Sequence, residues 1–158
     1  MQDPVLFDAV YETPVGWLGM RLQGEKLCEL DWIECPIVSF QHRHLQPIIR
    51  QILRCLDSYF ATASYTKIPA LDLTGTDFQR SVWRALLQIP CGSVKTYGQL
   101  ASELKTGSRA IGQACRRNPV AIFIPCHRVV ATGNIGGYMG NSGHIYIKRW
   151  LLEHENGR

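Results

Sequence analysis

Long apolar runs are missing from this chain, and with them any candidate for a membrane-spanning helix, which needs about 18 or more consecutive apolar residues. The first residues, Met-Gln-Asp-Pro-Val, also lack the basic region and the apolar block of a secretion signal. We therefore expect an intracellular, soluble protein that resides in the cytoplasm and has no membrane partner.

Paired cysteines are also missing, because none of the six cysteines belongs to a Cys-x-x-Cys motif. Scattered cysteines in an intracellular chain predict free thiols rather than disulfides. A zinc set can be proposed in the first half of the chain, but its spacing fits no finger or ribbon pattern, so the sequence favours no metal. Its members would be Cys28, Cys35, His42 and His44.

Acidic residues are scarce in the second half. Residues 76–158 hold eleven Lys and Arg against four Asp and Glu, a net charge of +7, whereas residues 1–75 hold six against nine, a net charge of −3. The basic half is predicted to bind a polyanion, and a solvated basic face is the alternative. A chain of 158 residues forms one domain or two small lobes that share a surface, and we place the boundary after residue 75.

The first lobe, residues 1–75, is predicted to be structural. Short apolar stretches separated by turn residues indicate three antiparallel strands at 6–11, 17–22 and 27–32. Apolar residues at helical spacing then predict a helix at about 46–63. Residues 64–75 contain Pro69 and Gly75 and are expected to form a linker.

The second lobe, residues 76–158, is predicted to be mainly helical. Thr76 or Asp77 is a polar N-cap for the first helix, Thr96 with Gln99 resembles a capping box, and Ser108 is a candidate cap for the next helix. Two short helices joined by a Gly-containing turn predict a helix-turn-helix. The expected helices span about 77–89, 96–104, 108–117 and 143–155.

The stretch Ile-Pro-Cys-His-Arg at 124–128 follows the apolar run 120–124. Burial alone raises the pKa of a thiol and makes it inert, so a reactive Cys126 needs a base, for which His127 is the candidate. Neighbouring side chains on a straight strand point to opposite faces, so the two cooperate only if the chain turns or a water bridges them. Pro125 predicts an extended segment that ends there and kinks through the Cys-His pair. A buried structural cysteine beside an incidental histidine is the alternative.

The pentapeptide resembles the active-site signature of the O6-alkylguanine-DNA alkyltransferases, or methylated-DNA–protein-cysteine methyltransferases, in which Pro-Cys-His-Arg carries the alkyl-acceptor cysteine. The resemblance extends through Ser-Arg-Ala-Ile-Gly at 108–112, Arg-Asn-Pro-Val at 117–120 and Gly-Gly-Tyr at 136–138. It implies an α+β fold, with a small antiparallel sheet-plus-helix N-terminal lobe packed on a mainly helical, winged-helix-like C-terminal lobe. The lobe at 76–158 would bind DNA and accept the alkyl group.

The resemblance also implies a reaction. An alkyl group would pass irreversibly from O6-alkylguanine, or from O4-alkylthymine, in DNA to Cys126, in a single turnover without a cofactor. His127 would take the thiol proton and Glu155 would orient His127, with Glu153 as the alternative if the helix register slips. The alkylated product is expected to be less stable, because the group adds bulk inside a tight pocket.

Further site residues follow from the same resemblance. Tyr97 would donate to a purine ring nitrogen, and Asn118 would tie the recognition helix to the active-site segment. In the base pocket, Tyr138 would pack on the extruded base, the backbone amide of Met139 would address O6, and the Val129 carbonyl would address the exocyclic amine. Met139 and the segment 140–143 depart from the family pattern, which leaves the tolerated size of the alkyl group open.

The helix at 108–117 presents a face of very small residues, namely Gly107, Ser108, Ala110 and Gly112. An interior glycine costs a helix about 1 kcal/mol, so this face indicates close approach to something, with tight packing on a neighbouring helix as the alternative. The face is slim enough for the minor groove, which agrees with the resemblance. Arg109 would then enter the base stack in place of the extruded nucleotide.

The remaining predicted DNA contacts are arginines, Arg116, Arg117 and Arg128. Phosphate contacts of this kind position a protein without reading sequence, so we expect salt-sensitive binding with weak sequence preference. The expected partner is double-stranded DNA carrying alkylated guanine, bound by a monomer located at the nucleoid. Two rival functions stay open from the residues alone, a thiol hydrolase and a non-catalytic DNA-binding regulator.

Overall fold

The computed structural model describes residues 7–34 and 46–157, and the chain forms two compact units, Met1–Leu73 and Thr74–Arg158. Within the described residues, the first unit contains a three-stranded antiparallel sheet and one helix, and the second contains four helices and a short parallel strand pair. The predicted α+β class is therefore confirmed. In these parts of the chain, no helix is both long and apolar enough to span a bilayer.

The sheet of the first unit has the order β1-β2-β3, with both pairs antiparallel. Its strands are β1 (Ala9–Thr13), β2 (Gly16–Gln23) and β3 (Lys26–Ile33). Leu18 and Met20 of β2 are fully buried and lie opposite Trp32 and Leu30 of β3, which gives the sheet an apolar face. The first strand was predicted at 6–11; within the described residues it starts at Ala9 and reaches Thr13, since pairing with β2 continues to Gly16.

The helix of the first unit, α1 (Pro47–Thr62), agrees with the prediction to within a residue at each end. Pro47 opens it, as suits a position whose amide has no helical partner. Part of the predicted linker is paired instead: the amide of Leu27 donates to the Ala70 carbonyl at 2.8 Å. Of the possible zinc set, Cys35, His42 and His44 lie outside the described residues, which themselves contain no cluster of three metal-binding side chains.

The second unit begins with α2 (Asp77–Leu87), capped by Thr76. The Thr76 hydroxyl accepts from the amide of Gln79 at 3.1 Å, and the Gln79 side chain accepts from the amide of Thr76 at 3.0 Å. The helix was predicted to reach residue 89, but the last turn tightens, because the amide of Gln88 bonds to carbonyls three and two residues back. The buried indole of Trp83 donates to the Ala114 carbonyl at 2.9 Å.

Five further elements surround the Cys-His segment. They are β4 (Lys95–Thr96), α3 (Tyr97–Glu103), α4 (Ser108–Arg116) and, after the segment, β5 (Val129–Val130), followed by α5 (Ile145–Glu155). The predicted capping box of α3 is confirmed, with Thr96 and Gln99 bonding reciprocally at 3.1 and 2.8 Å. The prediction that Ser108 caps α4 is wrong: Gly107 is the N-cap and makes no side-chain bond. Helices α3 and α4 form the predicted helix-turn-helix.

The segment before Cys126 is not extended, contrary to the prediction. Residues 120–124 fold into tight turns, in which the amide of Ile124 donates to the Val120 carbonyl at 3.0 Å. All five side chains are fully buried, and Ile122 has a φ of 71°. The apolar run therefore marks a buried turn, since burial in the core does not require a strand. Strands β4 and β5 pair in parallel, with Thr96 opposite Val130. This pairing places the start of α3 beside β5, which directly follows the Cys-His turn.

Candidate active site

Cys126 lies at a sharp bend, as the sequence predicts. Pro125 has φ −82° and ψ 64°, and the amide of Cys126 donates back to the Ile124 carbonyl at 2.8 Å, which closes an inverse γ-turn. Residues Cys126–Arg128 then form a single turn of 3-10 helix. The turn lets neighbouring side chains serve one site, and it leaves Cys126 only 3% exposed.

Asn118 holds the buried turn that precedes Cys126. Its side-chain amide donates to the Ile124 carbonyl at 2.8 Å, and its side-chain oxygen accepts from the amide of Val120 at 3.0 Å. A positive φ is an outlier for a β-branched residue such as Ile122 and persists only where the surroundings fix it. Asn118 follows directly on the C-cap of α4, so it links that helix to the segment carrying Cys126.

His127 is fully buried and contacts Glu155, with its Nε2 at 2.6 Å from the carboxylate Oε1. Burial lowers the pKa of His127 and outweighs the opposing effect of Glu155, so the imidazole is neutral near pH 7. Nε2 then carries the proton and donates to Glu155, which leaves Nδ1 as an acceptor. Nδ1 is buried and has no hydrogen-bond partner among the described protein atoms. Glu153, the alternative in the sequence, is exposed.

Arg128 does not face solvent, so the prediction that it contacts DNA is wrong. It is 5% exposed, its Nε and Nη2 donate to the two Glu155 oxygens at 2.9 and 2.8 Å, and its Nη1 donates to the Ile89 carbonyl at 2.7 Å. Burial by itself would raise the pKa of Glu155, but the bonds from His127 and Arg128 hold it well below its usual range. Glu155 is therefore a buried carboxylate that fixes both residues following Cys126.

A cavity of about 350 Å³ opens beside Cys126, within the range of small-molecule sites. Residues predicted for different roles meet there: the catalytic Tyr97 from α3, the DNA contacts Arg109 and Gly112 from α4, and the pocket residues Tyr138 and Met139 from the loop after β5. Its lining residues are Tyr97, Arg109, Gly112, Gln113, Cys115, Arg116, Cys126, Gly137, Tyr138, Met139 and Gly140.

The surroundings of the two cavity tyrosines keep the Tyr97 hydroxyl protonated and bury Tyr138. Burial raises the pKa of Tyr97 to about 12, so its hydroxyl remains a donor at neutral pH. That hydroxyl lies 3.5 Å from the Gly137 carbonyl. Tyr138 is 2% exposed, and the next residue, Met139, has a φ of 48°, which turns the chain along the cavity wall.

Lys148 belongs to the site although the sequence analysis did not include it. It is fully buried on α5, and its Nζ donates to the Val129 carbonyl at 2.5 Å and the Gly137 carbonyl at 2.7 Å. The Val129 carbonyl, predicted to address the base, thus already accepts one bond. Burial lowers the pKa of Lys148 to about 8, although the nearby sulfur of Cys126 opposes the shift. A signal exists in the sequence, since Lys148 precedes Glu155 by two helical turns and shares its face.

Cys115 is the second residue of the cavity that sequence reasoning missed. It is 5% exposed and lies on α4 one turn after the buried Ile111, a spacing that marks the inner face of the helix. Burial, and to a lesser extent the charge of Cys126, raises the pKa of Cys115, which keeps it a thiol. It therefore contributes to the cavity wall as a small apolar side chain.

The small face of α4 is open. A Cβ added at Gly107 or at Gly112 would meet nothing within 4 Å, so tight packing on a neighbouring helix does not explain these glycines. Ser108 and Arg109 are exposed beside them, and Ala110 is half-exposed. Arg109 also borders a second, more open cavity of about 460 Å³. Its lining residues are Tyr97, Gly98, Ser108, Arg109, Gly112, Ala131 and Thr132.

Arg116 and Arg117 are exposed at the other end of α4. Arg116 lies directly over Gly140, where an added Cβ would overlap its side chain. The positive φ of Gly140, 69°, favours glycine at that position, and the exposed Arg116 side chain would have to move to admit a Cβ.

Three comparisons identify the family. The family described as 6-O-methylguanine DNA methyltransferase, DNA binding domain, matches residues 77–157. A methylated-DNA–protein-cysteine methyltransferase of Mycobacterium tuberculosis is 46% identical over 93% of this chain and 90% of its own length, and one of Methanosarcina acetivorans is 34% identical over 95% and 98%. The crystal structure of Mycobacterium tuberculosis OGT in complex with DNA superposes with a TM-score of 0.78 at 38% identity, covering 94% of this chain and 91% of that one. The chain belongs to the methylated-DNA–protein-cysteine methyltransferase family.

Proposed function

We propose that this protein repairs DNA by direct reversal, as a methylated-DNA–protein-cysteine S-methyltransferase that moves an alkyl group from O6 of guanine to Cys126. The observation that carries the proposal is that Cys126 and Arg109 line one cavity, which puts a nucleophile at the helix face available to DNA. Relatives named for this reaction match over nine-tenths of the chain, and one related structure holds DNA.

The proton of the Cys126 thiol passes to Nδ1 of His127, directly or through a water, because that nitrogen is the unbonded acceptor of a neutral imidazole. Glu155 accepts from Nε2 and stabilises the imidazolium that results. The thiolate then attacks the alkyl carbon, a sulfur–carbon bond forms, and the carbon–O6 bond breaks. The guanine leaves with the electron pair, and the protonated Tyr97 donates to a purine ring nitrogen to meet the developing charge.

The reaction is expected to run once per molecule and without a cofactor. A thioether on Cys126 offers water no easy leaving group, and it has no disulfide chemistry that could reverse it. Each molecule would therefore accept one alkyl group and keep it.

An O6-alkylguanine inside a duplex must leave the base stack before a buried sulfur can reach it. The exposed Arg109 at the start of α4 is placed to fill the gap, with a long planar side chain that suits stacking. The empty space around Gly107 and Gly112 supports close approach of α4 to the minor groove. In the cavity we assign Tyr138 to the face of the extruded base and the Met139 amide to O6.

The Val129 carbonyl keeps its assignment to the exocyclic amine. A carbonyl oxygen has two lone pairs, and the bond from Lys148 occupies one of them. Arg116 and Arg117 are assigned to phosphates, where contacts position the duplex and carry no sequence information. The protein is proposed to act as a monomer at the nucleoid with low sequence preference.

The test uses a duplex with one O6-methylguanine and mass spectrometry of the peptide containing Cys126. We expect that peptide to gain one CH2 unit, with one equivalent of DNA repaired per protein. The Cys126→Ser protein should bind the duplex without gaining mass. Binding without transfer in the unsubstituted protein would favour the non-catalytic regulator. Repeated release of product, or turnover of an ester, would favour the thiol hydrolase.

A further inference from the structure

The buried charges of the second unit do not balance when Cys126 is a thiol. Arg128 and the Glu155 carboxylate face each other and cancel, and His127 is neutral. Lys148 is left as a fully buried ammonium, and no carboxylate of the described residues forms an ion pair with it. Its contacts are two carbonyls and, at 5.7 Å, the ring of Tyr97.

A buried cation is costly unless a negative charge compensates it, and carbonyl dipoles supply no net charge. Four groups of the surrounding elements interact with Lys148, namely the sulfurs of Cys126 and Cys115 and the rings of Tyr97 and His127. Cys115 and Tyr97 stay protonated at neutral pH because burial raises the pKa of both, and His127 supplies no anion. Cys126 is the remaining group, and it is the one with a base beside it.

We propose that Lys148 is the buried counter-charge of the Cys126 thiolate, and that alkylation removes this balance, so that charge as well as bulk destabilises the used protein. This inference deepens the proposed function and rests on it. The balance follows the reaction: His127, whose neutral form burial favours, passes the thiol proton on to solvent, so the thiolate faces Lys148. On alkylation the thiolate becomes a neutral thioether, the negative charge departs on the guanine, and Lys148 is left in the core without an anion.

The same side chain ties together two walls of the cavity. Val129 follows the Cys126 turn, and Gly137 precedes Tyr138, so Nζ of Lys148 bridges the acceptor segment and the base-pocket loop. When the counter-ion is lost, hydration or deprotonation of the ammonium weakens both bonds. Loss of the charge balance is thereby expected to loosen the site itself.

The decisive experiment separates charge from bulk. In a protein with Cys28, Cys35, Cys55 and Cys91 replaced by Ser, Cys126 is alkylated either with iodoacetamide, which leaves a neutral group, or with iodoacetate, which leaves a carboxylate of almost the same size. Peptide mass spectrometry verifies the modified residue. We expect the neutral adduct to lower the midpoint of chemical denaturation more than the charged adduct. Equal losses for the two adducts would overturn the proposal.

A second arm tests the counter-charge before any alkylation. Lys148→Met removes the charge at similar length, and Lys148→Arg keeps it. We expect the pH profile of the Cys126 reaction with iodoacetamide to move up by about one unit in the Met protein, a loss of about tenfold in rate at pH 7. The Arg protein should follow the unsubstituted profile. Three superimposable profiles would contradict the proposal, and a Met protein that fails to fold leaves the adduct pair to decide.

Neither arm uses DNA, so the result is independent of methyl transfer from a duplex, which is measured separately on the same preparation. A protein that shows the predicted adduct difference but takes no methyl group would refute the proposed function and leave the charge pair in place. Normal methyl transfer together with equal losses of stability for the two adducts would support the proposed function and refute the charge pair.

Discussion

Glu155 determines the arrangement around the reactive sulfur, because its carboxylate holds both residues that follow Cys126, His127 and Arg128. Oε1 contacts His127 at 2.6 Å, and both oxygens accept from Arg128. The Glu155 side chain is 1% exposed, so these bonds are protected from water and are short and directional. Arg128 is a positioning residue on this geometry: it keeps Glu155 ionised and in place, and Glu155 in turn orients His127.

Replacing Glu155 with Gln should therefore impair both catalysis and stability. Loss of an oriented general base typically lowers a rate by about 100-fold or more, and removing one partner of a buried ion pair costs about 3–5 kcal/mol. We expect both effects in Glu155→Gln, measured as the rate of methyl transfer by the folded fraction and as the denaturation midpoint.

Glu153 provides a matched control two residues earlier on α5. It is exposed, and Glu153→Gln makes the same chemical change without touching His127. Its transfer rate and stability should equal those of the unsubstituted protein. A comparable loss at Glu153 would mean that helix charge, and not the buried carboxylate, controls the sulfur.

Single residues also show where sequence reasoning reaches its limit. The Cys126–His127 bend follows from Pro125 and from the opposite directions of adjacent side chains, both of which are local rules. Arg128 was misassigned because its partner Glu155 lies 27 positions away, and nothing local reveals that pairing. Lys148 was missed because a lysine in an amphipathic helix is ordinarily solvated, although its register with Glu155 carries the information.

At the scale of elements, the two capping boxes of the second unit give a natural pair of experiments. Thr76 caps α2, and Thr96 caps α3, whose first residue is the cavity residue Tyr97. Thr→Ala at either cap should cost about 1 kcal/mol of stability. Only Thr96→Ala should also slow methyl transfer, because fraying of α3 displaces the Tyr97 hydroxyl.

The measurement compares transfer rates of the two variants after matching their stabilities by urea denaturation. Equal rates for Thr76→Ala and Thr96→Ala would show that Tyr97 does not depend on its helix cap. A slower Thr76→Ala protein would point to global stability as the cause.

At Gly112 of α4, one substitution should change stability and DNA affinity in opposite directions. Alanine there meets empty space and has a helix propensity better by about 1 kcal/mol, so Gly112→Ala should raise the melting temperature. The added methyl group faces the proposed minor-groove contact, and we expect DNA affinity to fall roughly tenfold, equivalent to about 1.4 kcal/mol. Equilibrium binding to an unmodified duplex measures this loss.

Gln51→Ala in α1 is the control for helix propensity, since α1 belongs to the acidic half of the chain. It should leave DNA affinity unchanged. If Gly112→Ala bound DNA as tightly as the unsubstituted protein, the open face of α4 would have no role in close approach.

Elements were predicted best where a local rule decides them. The Thr96–Gln99 box and the apolar stripe of α1 are readable within a few residues and were located to within a residue or so. The run at 120–124 was misread as extended, because full burial on all sides fits a strand and a compact turn equally well. The turn is fixed by Asn118, whose bonds to Val120 and Ile124 no periodicity encodes.

For the whole molecule, the separation of charge between the two halves predicts salt-dependent DNA binding. Arg116 and Arg117 are exposed in the basic half, and each phosphate contact adds about −0.9 to the slope of log affinity against log salt. The double variant Arg116→Ala and Arg117→Ala should reduce the magnitude of that slope by about two. Arg54→Ala, an exposed arginine of the acidic half, should leave it unchanged.

The slope is measured by titrating one unmodified duplex at several salt concentrations. A slope that drops equally for Arg54→Ala would assign binding to overall charge, whereas no change in the double variant would remove both arginines from the interface. The charge balance of each half was available from the sequence. The position of these arginines relative to the cavity was not, because it depends on how α4 and the loop at Gly140 meet.

The hydrogen bond between Trp83 and Ala114 has a practical consequence. The indole is 1% exposed and bonded to the residue just before Cys115, on the helix that lines the cavity. Indole emission shifts with the polarity and hydrogen bonding of its surroundings, so Trp83 becomes an intrinsic optical probe beside the reaction centre once the other three tryptophans are replaced by Phe. Stopped-flow fluorescence would then time nucleotide capture and sulfur modification as separate phases, on unlabelled protein.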